Sequence, residues 1–195
     1  MRIIGDVHGK HEAYLDLISN RKTSIQVGDF GFNYSVLDCV DSNNHKIIGG
    51  NHDNYDIIKN YPHFLGDFGT FENDGISFFF VRGERSVDAH LRTEGVTWWR
   101  DEELSTQQGY AAVDAYEKCK PNVVISHGCP AELIPHFVTN PVKQMYPSKT
   151  SQILDSMWSV HKPKFWIFGH HHNSKSVLIS DCFCYCLDEL ECLDI

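Results

Sequence analysis

Arg2-Ile3-Ile4-Gly5-Asp6-Val7-His8-Gly9 is the stretch on which the reading of this chain turns. A short apolar run reads as a strand, and Gly5 ends it. A carboxylate and an imidazole follow at once, two residues apart. On an extended backbone Asp6 and His8 point to the same side, so both can reach one metal ion. Immediately downstream, residues 11–20 carry Tyr14, Leu17 and Ile18 at helical spacing.

Working outward, the same punctuation recurs. Ser24-Ile25-Gln26-Val27 is a second short strand, closed by Gly28 and followed by Asp29. Lys46-Ile47-Ile48 is a third, closed by Gly49-Gly50 and followed by Asn51-His52-Asp53. Residues 122–126 form another strand, with His127 next, and residues 164–168 precede Gly169-His170-His171-His172. Helical patterns fall between them, over residues 53–59, 105–118 and 150–160. The second of these opens on a capping box, with Ser105 as N-cap and Gln108 three positions on. The third places Ile153, Leu154, Met157 and Trp158 on one face. Strands alternating with helices imply an α/β domain, here one domain over residues 1–195. Strands at 76–81 and 176–187 add mixed or antiparallel pairing. In open α/β sheets ligands bind beyond the carboxyl ends of the strands, so these five strand ends are expected to converge on one site.

The residue types at those ends suit metal-assisted hydrolysis. Asp29 has two oxygens and can bridge two ions roughly 3.5–4 Å apart. Asn51 offers an amide oxygen, and His127, His170 and His172 offer imidazole nitrogens. Mixed oxygen and nitrogen donors favour manganese, iron or zinc over calcium or an all-oxygen magnesium cage. Two such ions lower the pKa of a shared water, and the resulting hydroxide can attack phosphorus in line. His52, beside Asn51 but not needed as a ligand, is the candidate general acid for the leaving alkoxide. Taken singly, His8 could cap a helix and His127 could be a satisfied core histidine. Seven ligand-type residues at glycine-punctuated strand ends have no economical structural explanation.

Gly5-Asp6-Val7-His8-Gly9, Gly28-Asp29, Gly49-Gly50-Asn51-His52-Asp53, Ser126-His127-Gly128 and Gly169-His170-His171-His172 together resemble the motif set of the calcineurin-like metallophosphoesterase superfamily. The resemblance implies a sandwich of two β-sheets flanked by helices. It implies two divalent metal ions, with manganese favoured and iron, zinc or nickel as options. By that likeness Asp6, His8 and His172 hold one ion, Asn51, His127 and His170 hold the other, and Asp29 bridges them. His171 is expected to point away and to support the site rather than ligate.

The likeness has gaps. Serine/threonine phosphatases of this superfamily read Gly-Asp-x-x-Asp-Arg-Gly at the second motif, where this chain has Gly28-Asp29-Phe30-Gly31-Phe32-Asn33. Phe32 stands where those enzymes have the Asp that orients the acid histidine. Asn33 stands where they have the phosphate-clamping Arg, so the bidentate fork is lost there. That argues against a phosphoprotein substrate, the main alternative; a metal-binding scaffold without catalysis is the other. Residues 82–103, with Arg82, Arg85, Asp88, Arg92, Trp98 and Trp99, are similar to a segment of small bacterial and phage metallophosphoesterases. They could form a lip in which Arg85 or Arg92 clamps phosphate and the tryptophans stack on a base. An ordinary salt-bridged surface and packed tryptophans are the plainer readings.

Composition narrows the partners. A formal net charge of -9 argues against a long nucleic-acid substrate, because such proteins usually present a basic face. A small phosphate ester or nucleotide fits better, as a monoester or a diester. No stretch approaches the ~20 apolar residues that span a bilayer, and the first apolar run is too short for a signal peptide, so a cytoplasmic protein is expected. Seven cysteines lack a zinc-knuckle spacing; Cys182, Cys184 and Cys186 alternate on one strand face as small apolar side chains.

Overall fold

The computed structural model describes residues 1–139 and 147–195. Ten strands are assigned among them: β1 Arg2–Ile4, β2 Ser24–Gln26, β3 His45–Ile47, β4 Phe68–Asn73, β5 Ile76–Val81, β6 Val123–Ser126, β7 Phe165–Phe168, β8 Lys175–Ile179, β9 Cys182–Cys186 and β10 Cys192–Asp194. The helices that frame them are α1 His11–Ile18, α2 Tyr55–Ile58, α3 Thr106–Cys119, α4 Ile134–Phe137 and α5 Lys149–Val160. One sheet runs in the order β10-β1-β2-β3 and the other β4-β5-β6-β7-β9-β8. β1, β2 and β3 are parallel, as are β5, β6, β7 and β9. The remaining strands, β4, β8 and β10, add on antiparallel.

Side-chain alternation explains why two sheets stack. Ile3, Ile25, Val27 and Ile48 from the smaller sheet meet Phe78, Phe80, Val123, Ile125 and Ile167 from the larger one in a shared core. The intervening residues face outward. Phe79, Val124, Trp166, Phe168 and the three cysteines of β9 pack under Ala112, Tyr116, Leu154, Met157 and Trp158 of α3 and α5. Across the molecule, Ile4 and Ile47 pack under Tyr14, Ile18, Tyr55 and Ile58 of α1 and α2. The result is the expected helix–sheet–sheet–helix sandwich. All seven cysteines are free thiols, and burial pushes Cys186 up to about 12, so it behaves as a small apolar side chain.

Two strands had no sequence signal strong enough to read. β4 pairs with β5 through a turn at Asp74-Gly75, both with positive φ, the geometry of a tight hairpin. β10 is three residues long and closes the smaller sheet against β1.

The capping box at α3 forms as read: Ser105 accepts from the Gln108 amide, and the Gln108 side chain accepts from the Ser105 amide. Ser105→Ala is therefore expected to lower unfolding free energy by about 1 kcal/mol in urea titration, with bound metal unchanged, since the cap lies outside the site.

Candidate metal centre

Because the parallel strands share a direction, their carboxyl ends lie along one rim. The smaller sheet delivers Asp6, His8, Asp29 and Asn51 there, and the larger one His127, His170 and His172. Two clusters result, Asp6 with His8 and His172, and Asp29 with His127 and His170; within each, the potential ligand atoms lie within 4.8 Å of one another. Asn51 joins the second cluster, its Oδ1 at 3.1 Å from His127 Nε2 and 2.8 Å from His170 Nδ1. All seven side chains singled out from the sequence are thus brought together.

The route by which they converge differs from the expected one. His8, Asp29, His170 and His172 have φ of 49°, 57°, 62° and 47°, in the left-handed region. Asp6 and His8 therefore meet through a turn and not through strand alternation, and residues 170–172 are likewise not extended. Such conformations are costly for residues with a Cβ and persist where surrounding bonds over-determine them. His171 does turn away: its Nε2 lies 3.5 Å from Cys129 Sγ, and its ring packs edge-on against Phe168.

The turn at Asp29 is held by Asp53. This fully buried carboxylate accepts from the backbone amides of Asp29 (2.9 Å), Phe30 (3.1 Å), Gly31 (3.3 Å) and Gly50 (2.7 Å) and from the Tyr34 hydroxyl (2.8 Å). Burial and the nearby Asp29 push it up to about 7, while those donors favour the ionised form. Two glycines make the close approach possible. Gly28 has φ 105°, and a Cβ there would meet His127 Nδ1 at 2.5 Å; a Cβ on Gly50 would fall 2.2 Å from Asp29 Oδ1.

Electrostatics and hydrogen bonding both suit a site that binds cations. Asp6, Asp29 and Asp53 are buried together, a state that needs pairing or coordination. Burial pushes Asp6 up to about 8; His127 opposes the rise and Asp29 adds to it. Burial alone would lower His127, but Asp29 and Asp6 carry it up to about 10. His127 Nδ1 lies 3.0 Å from the Val27 carbonyl, a contact that requires its proton. Nε2 therefore faces Asp29 Oδ1 at 3.2 Å and Asn51 Oδ1 at 3.1 Å, as a proton donor while the ring is charged and as a lone pair where a bound cation would displace that proton. Three possible ligand atoms meet where a cation would satisfy all of them. In the other cluster His8 Nε2 and His172 Nε2 are 3.3 Å apart, with stacked rings. Two nitrogens on one tetrahedral ion, with bonds of roughly 2.0–2.1 Å, have that separation. The donor set fits two divalent ions.

His52 lies at the edge of this rim, its amide donating to Asp29 Oδ1 at 2.6 Å. Arg92 lies against it, Nη1 3.1 Å from Nδ1 and Nη2 3.1 Å from Nε2. A neutral imidazole has one bare ring nitrogen, so the guanidinium donates to whichever of the two is unprotonated. Asp88 holds Arg92 through Nε at 2.7 Å. Burial lowers the His52 pKa, Asp29 opposes this, and Arg92 lowers it further. Phe32 packs on Trp99 at 5.3 Å, with His52 at 6.5 Å, and Asn33 caps the Ser35 amide at 3.0 Å. The position of the absent orienting Asp is thus apolar, and the cation beside His52 comes from residues 82–103 instead.

That segment also braces the site. Arg82 stacks 4.4 Å above the Tyr55 ring, the Gly83 amide donates to the Gly49 carbonyl at 2.7 Å, and Trp99 Nε1 donates to Asp56 at 2.9 Å. Trp99 is buried as packing and offers no open face for stacking. Arg85 lines a cavity of about 460 Å³ beside His170 and His171, together with Val87, Ile134 and Ser151. A second cavity, of about 560 Å³, opens over His8, Phe32 and His52.

A family model described as calcineurin-like phosphoesterase matches residues 2–174. The chain belongs to that family. No curated protein matches this family member in sequence. Among solved structures it is similar to phosphopantetheinyl hydrolase from Mycobacterium tuberculosis, with TM-score 0.57, 14% identity, and coverage of 96% of this chain and 89% of that one. A putative 5'-nucleotidase from Staphylococcus aureus gives TM-score 0.53 and 12% identity over 96% of this chain, which spans 48% of that longer protein. A hypothetical protein from Thermus thermophilus gives TM-score 0.50, 14% identity, and coverage of 97% and 75%. At these identities the likeness is one of fold.

Asp53→Asn tests the clamp under this calcineurin-like centre. Whichever way the new amide faces, its NH₂ opposes two backbone amides that now lose their acceptor. At about 1–3 kcal/mol for each buried unsatisfied donor, unfolding free energy should fall by roughly 2–6 kcal/mol in denaturant titration, and bound metal should fall with it.

Proposed function

We propose that this protein is a dinuclear metal-dependent phosphoesterase acting on a small or nucleotide-type phosphate ester. The observation that carries the reading is the close approach of Asp29 Oδ1 and Asn51 Oδ1 to His127 Nε2, three possible ligand atoms, beside a second cluster of Asp6, His8 and His172. Asp6, His8 and His172 would hold one ion, Asn51, His127 and His170 the other, and Asp29 both; manganese is favoured by the mixed donors, with iron, zinc or nickel also suited. When bound, such a pair supplies an activated water and positive charge for the phosphoryl oxygens.

The chain's own groups would do the rest. His52 stands at the rim without a place among the candidate ligands, and it would carry the proton to the leaving oxygen. Arg92, in contact with His52 and anchored by Asp88, would receive a phosphoryl oxygen beside that proton donor. Arg85, in the adjoining cavity, is the other candidate for a substrate contact. Asn33 is turned to its own backbone and Phe32 to Trp99, which supports a substrate other than a phosphoprotein. Seven free thiols are compatible with a reducing, cytoplasmic setting. Among the described residues no helix is long and apolar enough to cross a membrane.

Hydrolysis of p-nitrophenyl phosphate and its bis ester, with manganese, nickel or zinc added to metal-depleted protein, tests the activity. Turnover of one ester, with two ions bound per chain, is the expected result; no turnover of either with both ions bound would support a scaffold instead. His52→Ala should retain both ions and lose roughly 10²–10⁴-fold in kcat on alkyl esters, with a smaller loss on p-nitrophenyl esters, whose leaving group needs no proton. Equal losses on both would remove His52 as the acid.

A further inference from the structure

Asn51 can serve as a metal ligand only through its oxygen, yet its NH₂ fits the same space. Something must therefore decide which end faces the cluster. The amide NH₂ donates to Ser86 Oγ at 3.3 Å. Ser86 in turn donates twice to Glu102, from its amide to Oε1 at 2.8 Å and from its hydroxyl to Oε2 at 2.7 Å. Both Ser86 and Glu102 are buried, at 4% and 3% exposure, so water does not offer either of them a ready alternative partner.

The direction of each bond follows from donor and acceptor capacity. Burial raises the Glu102 pKa and the two Ser86 donors oppose that rise, favouring the ionised form; an ionised carboxylate only accepts, so Glu102 takes the single hydroxyl proton of Ser86. The serine oxygen then has only lone pairs to offer, and Asn51 must present its NH₂ to them. That leaves the amide oxygen facing His127 and His170. We infer that Glu102 and Ser86 are positioning residues which lock the Asn51 amide with its oxygen toward the second metal site. The inference rests on the dinuclear reading of the centre and assigns residues 82–103 a role in metal geometry, apart from any contact with substrate.

Glu102→Gln is an isosteric test. The Ser86 amide can only donate, so the new oxygen must stay opposite it and the new NH₂ must face Ser86 Oγ. The serine proton is thereby turned toward Asn51, which favours the rotated amide. Removing such outer partners typically costs 10–100-fold in metal affinity. Manganese titration against a competing chelator should show a loss of that order for the weaker of two ions, with the metal-free melting temperature near that of the wild type. Ser86→Ala, which deletes the lock without reversing it, should show a smaller loss in the same direction. In an Asn51→Asp background, where a carboxylate has no wrong end, Glu102→Gln should change affinity less than about twofold, and additivity would mean a merely structural role. Wild-type affinity in Glu102→Gln, or an undiminished loss in the Asn51→Asp background, overturns the positioning role alone. Fewer than two ions on wild-type protein overturns the dinuclear reading itself, and the positioning role with it.

Discussion

Asp6, Asp29 and Asp53 lie buried at the rim where two sheets end, near enough for their charges to act on one another. Three carboxylates cannot share a low-dielectric space without compensation. The fold supplies it in two currencies. Asp53 receives backbone amides and a tyrosine hydroxyl, which makes it a structural hub. Asp6 and Asp29 receive fewer donors and face imidazoles, which leaves them open to cations. The division of labour between a clamped carboxylate and two available ones follows from where the amides of the Asp29 turn point.

The same constraint accounts for backbone choices that would otherwise be unfavourable. His8, Asp29 and His170 hold left-handed conformations within turns that hydrogen bonds from neighbouring segments tie down. The His8 amide donates to the Asp29 carbonyl, and the His170 amide reaches both oxygens of Asp6. Turns from opposite sheets are thus tied through the carboxylates themselves, so the site and the sandwich rim depend on the same bonds.

The strand ends and their ligand-type residues were legible in sequence because glycine punctuation and apolar runs are local signals. The alternation of Ile3 with Ile4, and of Phe78 with Phe79, then dictated a two-faced sheet. What stayed hidden has a common cause. β4, with the pattern Phe68-Gly69-Thr70-Phe71-Glu72-Asn73, is an edge strand with mostly half-buried residues, so its apolar signal is weak. β10 has three residues and is defined by its pairing with β1. The roles of Asp53, Ser86 and Glu102 are set by contacts across 16 to 35 positions, and no local pattern marks them. The turn that brings His8 to Asp6 was read as extended because the spacing of two suits either geometry.

Phe32 shows how a departure from a familiar motif can be absorbed elsewhere in the chain. An apolar ring at that position cannot orient His52 by charge, but it packs on Trp99, whose indole is fixed to Asp56 beside α2. From that anchored segment Arg92 reaches back to the ring nitrogens of His52, and Ser86 reaches Asn51. One segment between the third and fourth motifs thus touches both the candidate acid and a candidate ligand. Contacts to His52 and Asn51 are drawn here from residues 82–103, so under the proposed function a change in that segment would act on proton transfer and metal geometry together.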